Sequence, residues 1–96
     1  MAKESNLGYI ISALKECRSR VIDLLTVFED ADVEYRAVWL PAMERSCVKM
    51  KELVAQLFEM KEYKKFVKWL CIYEDLYASY EHECDRFDVD IQEFYN

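Results

Sequence analysis

From Phe66 to Phe94 the large apolar residues fall at Phe66, Leu70, Tyr73, Tyr77, Tyr80, Cys84, Phe87, Ile91 and Phe94, in steps that alternate four and three. A helix turns once in about 3.6 residues, so this spacing lines one continuous stripe of a single helix. At the helical rise per residue the stripe is about 42 Å long. Only long helical partners can cover a seam of that length. The chain is therefore expected to be all-α, an antiparallel bundle of three long helices with short connections and coiled-coil-like seams.

The rest of the sequence supplies two such partners. Leu7, Ile10, Leu14, Cys17, Val21, Leu24 and Phe28 repeat the same spacing, with Lys15, Glu16, Arg18, Arg20 and Asp23 on the other faces. Ser5 or Asn6 can cap this helix by accepting a backbone N–H of its first turn. A second register runs through Val33, Ala37, Leu40, Met43, Cys47, Met50, Val54 and Leu57. The change of phase can lie at Glu29–Asp32 or at Pro41. The first is favoured, because Asp30 or Asp32 can cap a new helix whereas Leu40 cannot; Pro41 then sits inside helix 2 and removes a hydrogen bond there. Beyond Leu57 the second stripe would continue onto Lys61, Lys64 and Lys68, while a new one starts at Tyr63 and Phe66. A turn therefore falls between Phe58 and Glu62. The expected helices are 6–28, 31–58 and 62–94, in a single domain spanning 1–96. On these bounds helix 3 outruns helix 1. Tyr80, Phe87, Ile91 and Phe94 are left short of cover within one chain, which points to a homodimer or a partner complex.

Composition agrees with helices. Hydrophobic residues make up 53% and charged residues 33%, with one Gly and one Pro, which excludes a loop-rich or disordered chain. A net charge of −6 disfavours direct binding to nucleic acid or to an anionic membrane surface and favours basic partners. No apolar run is long enough to span a membrane, and the first residues do not read as a signal peptide, so a cytoplasmic protein is expected. Cys17, Cys47, Cys71 and Cys84 form no C-x-x-C pair, and three of them fall on apolar stripes; they read as free thiols rather than disulfides or metal ligands.

Catalytic chemistry finds no foothold. Glu81, His82, Glu83, Cys84 and Asp85 form the one cluster of acids around a histidine, but only residues three or four apart share a helix face, and a single His satisfies neither a zincin motif nor a di-metal carboxylate bundle. Gly8 stands alone, so there is no phosphate-cradling loop. We expect no catalytic residues, no metal and no cofactor. A small metal-binding protein is the weakest of the alternatives.

Charge and aromatic content are more informative. Lys61, Lys64, Lys65 and Lys68 open the third helix, whereas Glu74, Asp75, Glu81, Glu83, Asp85, Asp88, Asp90 and Glu93 follow against Arg86 alone. This is the reverse of what the helix dipole favours, so helix stability did not set the arrangement. Two explanations remain: antiparallel pairing with the helix 3 of a second copy, or an acidic surface for a basic partner. The eight carboxylates are spaced at about 3.6 Å along the helix, against about 1.7 Å per charge in duplex DNA and about 3.4 Å in one strand. That density matches a single strand at best. The expected function is protein–protein binding, as an inhibitor or adaptor of a basic, nucleic-acid-handling partner, a role that suits a small phage- or virus-encoded protein. The residues expected to carry it are Glu74, Glu81, Asp85 and Asp88, with Trp69 and Tyr80 as aromatic anchors. The alternative is a structural homodimer.

Overall fold

In the computed structural model, which describes the backbone of residues 2–95 and the side chains of residues 6–94, the described residues form three helices joined by two short turns. They are α1 (Ala2–Phe28), α2 (Val33–Glu59) and α3 (Tyr63–Tyr95), packed into a rod whose Cα extents are 57 × 17 × 16 Å. No strand occurs among the described residues. The bundle is organised about α2, which packs along both neighbours, whereas α1 and α3 meet only over a short stretch.

Each turn has a local chemical cause. Asp32 caps α2: its carboxylate accepts the backbone N–H of Tyr35 at 2.8 Å, and its own carbonyl accepts from the Arg36 amide at 3.2 Å. The break expected at Glu29–Asp32 is therefore the real one, and Pro41 lies inside α2. The second turn is closed by the backbone. Lys61 takes a left-handed conformation, with φ of 63°. Its N–H reaches the Phe58 carbonyl at 3.0 Å, and the Glu62 N–H reaches Leu57 at 3.0 Å, the paired bonds of a Schellman motif. Glycine usually fills this position; here a lysine does.

The start of α1 differs from the expectation. Ala2, Lys3 and Glu4 are good helix formers and extend the helix past the expected cap, so Ser5 and Asn6 lie within it. That lengthening shrinks the mismatch. Helix α3, at 33 residues, exceeds α1 and α2, at 27 each, by six residues or about 9 Å. Tyr80, Phe87 and Ile91 are consequently half-buried within one chain, and Phe94 remains 58% exposed.

Three rows of every seventh residue form the core. On α1 the row is Leu7, Leu14, Val21 and Phe28, and on α2, in the opposite direction, Leu57, Met50, Met43 and Arg36. On α3 it is Trp69, Leu76, Glu83 and Asp90. Leu14, Val21, Phe28, Met43, Met50 and Leu57 are fully buried, and each contributes about 1.5–3 kcal/mol in removing its side chain from water. The α3 row corrects the expected register. The nine-residue stripe is not the one at the centre of the bundle; Trp69 and Leu76 are, and the stripe lies beside them.

Candidate functional site

The rotation of α3 decides what its surface offers. With Trp69, Leu76 and Glu83 turned inward, the neighbouring stripe lies in the seam with α2, and Phe66, Leu70, Tyr73, Tyr80, Cys84, Phe87 and Ile91 are only half-buried. Tyr77 is 38% exposed. The rings form a ladder along the seam. Phe58 of α2 stacks edge-on with Tyr63 at 5.6 Å and tilts against Phe66 at 5.2 Å, and Tyr77 stands between Tyr73 at 5.7 Å and Tyr80 at 5.8 Å.

Glu74, Glu81, Asp85 and Asp88 each follow a member of this stripe in sequence. They therefore lie about 100° further round the helix, on the side away from the core. All four are exposed. Aromatic stripe and acidic rib thus run side by side. Of the two expected anchors, Tyr80 belongs to this surface, whereas Trp69, at 3% exposure, is in the core with the Lys68 ammonium 5.7 Å from its ring centre, and offers a partner nothing. The wide apolar arc of α3 made the two rows hard to tell apart by spacing.

Burial sets the protonation of the stripe. It raises the Tyr80 hydroxyl well above the ordinary phenol value, helped by its contacts with Cys84 and Glu44, and it raises Tyr73, helped by Tyr77 and Cys47. Both phenols stay neutral at physiological pH. The thiols behave alike. Burial pushes Cys47 to about 11, with Cys17 and Cys84 adding to the effect, and pushes Cys17 up as well. A protonated, enclosed thiol is a poor nucleophile and a poor ligand. Cys71 is exposed and Cys84 half-buried, and all four cysteines are free. Among the described residues no group of three or more His, Cys, Asp or Glu is placed to hold a metal ion, and none of the helices is long and apolar enough to cross a membrane. His82 is exposed on the opposite border of α3, in the groove with Leu25 and Glu29 of α1.

A second polar feature escaped the sequence reading. Arg36, only 4% exposed, donates from Nη2 to Asp90 Oδ2 at 2.7 Å and from Nε to the Asp32 carbonyl at 3.4 Å. Arg86 donates from Nη2 to the Phe28 carbonyl at 2.7 Å and from Nη1 to Glu83 Oε1 at 3.4 Å, with Asp90 Oδ2 3.8 Å from its Nε. Arg36 Nη1 and Glu83 Oε2 are buried without a hydrogen-bond partner in the protein. The cluster bolts α3 to the α1–α2 turn, with buried Arg36 taking a place that apolar residues fill elsewhere in the rod. The signal was present: Arg36 continues the row of Met43, Met50 and Leu57 at sevens, and Glu83 and Asp90 continue Trp69 and Leu76. This end of the bundle is structural, and the acidic aromatic face of α3 is the site candidate.

No protein-family model matches the chain, and neither does any curated protein or solved structure.

Proposed function

We propose that this protein is a non-enzymatic binding module that uses the outer face of α3 to hold a basic amphipathic helix of another protein, acting as its inhibitor or adaptor. The observation that carries the reading is the half-exposed row from Tyr73 to Ile91 bordered along its length by Glu81, Asp85 and Asp88. An incoming helix would lay apolar residues against the tyrosines and place lysine or arginine over the rib. Such helix-in-groove contacts draw affinity from the apolar anchors and specificity from the flanking charge. The neutral phenols favour this use, because they add a hydrogen-bonding rim without opposing the carboxylates. A nucleic-acid-handling protein is a fitting target, since such proteins carry cationic surfaces. A cytoplasmic setting accords with four cysteines that form no disulfide.

The test uses a helical peptide with leucines at alternating three- and four-residue spacing and lysines on one flank, labelled for fluorescence anisotropy. Binding should weaken about tenfold when Glu81, Asp85 and Asp88 are changed to Gln, Asn and Asn, and should fall steeply between about 0.05 M and about 0.5 M salt. Affinity that ignores both changes, or no binding at all, overturns the proposal.

A further inference from the structure

The pair α1–α2 has two long grooves, and α3 fills only one. Along the other, Cys17, Arg20 and Leu24 on α1 face Trp39, Ala42, Ser46 and Lys49 on α2, both series in alternating steps of three and four. They enclose a cleft of about 500 Å³. Its floor is apolar, with Leu24 half-buried and Trp39 42% exposed at one end, and Ala42 and Ser46 are small enough to admit bulky side chains. Its rim is cationic: Arg20, Arg45 and Lys49 stand against Asp23. Arg20 is shared with Glu16, but neither Arg45 nor Lys49 has an ion-pair partner among the described residues. In a protein of net charge −6 this is an inverted patch.

A helix that fits such a seat must carry apolar residues at three- and four-residue spacing and a flank of carboxylates. Helix α3 of this chain meets that specification. Arg45 and Lys49 are four residues apart, as are Glu81 and Asp85, so each pair spans about 6 Å along its helix. We infer that the seat is filled by the α3 face of a second copy, with Glu81 and Asp85 of one copy over Arg45 and Lys49 of the other. Groove and stripe lie on opposite flanks of the same helix, α2, so each copy offers a seat on one side and an α3 face on the other, and the contact is head-to-tail rather than two-fold. The inference rests on the same α3 face as the proposed function, and it adds a regulation: self-association covers the surface that a basic partner needs, and the two compete.

Sedimentation equilibrium of the full chain over a concentration series, with no partner present, tests it. At low salt the weight-average mass should rise with concentration above that of the monomer, and at about 0.5 M salt the dissociation constant of the contact should increase about tenfold. Arg45→Glu with Lys49→Glu should leave a monomer of unchanged helicity, since both positions are exposed. Adding Glu81→Lys and Asp85→Lys to that variant should restore the self-association. A monomer throughout the wild-type series, self-association indifferent to the groove variant, or no rescue by the charge swap overturns the inference. The basic-helix peptide separates this from the proposed function. The groove variant, with α3 uncovered, should bind the peptide more tightly than wild type where the wild type self-associates, and equal affinity refutes the competition. Self-association that obeys the swap in a protein that never binds the peptide stands by itself and removes the partner.

Discussion

Arg86 Nη2 donates to the Phe28 carbonyl across 2.7 Å, joining residues 58 apart in sequence. The last carbonyls of a helix have no partner within it, and a cation there also meets the negative end of the helix dipole. One guanidinium thus closes the end of α1 and neutralises the buried Glu83. Arg86→Ala should cost about 2–3 kcal/mol in urea unfolding, through the lost cap and a carboxylate left buried without its counter-charge. Arg86→Lys should recover part of that, because an ammonium keeps the charge but cannot fork between carbonyl and carboxylate. A loss below about 0.5 kcal/mol for the alanine variant would show the bolt to be idle.

Lys61 holds the left-handed position of the α2–α3 turn. A side chain there costs roughly 1 kcal/mol that glycine avoids. Lys61→Gly should therefore stabilise the protein by up to about 1 kcal/mol, less the extra freedom glycine gives the unfolded chain. A higher urea midpoint at unchanged slope is the expected reading, and a lower midpoint contradicts the turn geometry.

The two rows of α3 should answer truncation differently. Trp69→Ala empties a core position and should cost about 3–5 kcal/mol, whereas Tyr77→Ala, at a half-open surface, should cost about 1 kcal/mol. Equal losses would mean that α3 is rotated toward the tyrosine stripe.

Alkaline pH should undo part of the stability. The folded-state pKa values of Cys17 and Cys47 lie above their ordinary values, so the folded chain holds protons that the unfolded chain has released. Their contribution is complete below the unfolded thiol value and is lost as pH rises toward about 11, the folded value of Cys47. Urea midpoints should be level near neutrality and fall from about pH 9 upward, with a shallower fall in Cys47→Ala. Alkylation followed by mass spectrometry should label exposed Cys71 first and Cys17 and Cys47 last.

Helix number and both turn positions were legible because each rests on neighbours in sequence: Asp32 can cap Tyr35, and a phase break at Phe58–Glu62 needs no tertiary information. The rotation of α3 was not. Phe66–Phe94 is the longer and more regular row, but the inward row is chosen by what the other helices present, and that row ends in Glu83 and Asp90, which local spacing reads as solvent-facing. Their burial depends on Arg86 and on Arg36, the latter 54 residues from Asp90. The acidic rib was visible because Glu74, Glu81, Asp85 and Asp88 each stand one residue past a member of the apolar stripe, on the side of the helix that neither apolar row occupies. The cationic groove was not, since it is made by two helices whose charges alternate in sign along each.

Sharing one helix between two hairpins also sets the order in which the molecule comes apart. Because α1 and α3 scarcely touch, either can swing away while the other stays zipped to α2. Amide protons on α1 and α3 thus have a route to deuterium through partial opening, whereas those in the middle of α2 are released only when both hairpins have gone. In native-state hydrogen exchange the central turns of α2, around Met43 to Val54, would be the last to give up their protons, at a rate that reports the global unfolding free energy of the molecule.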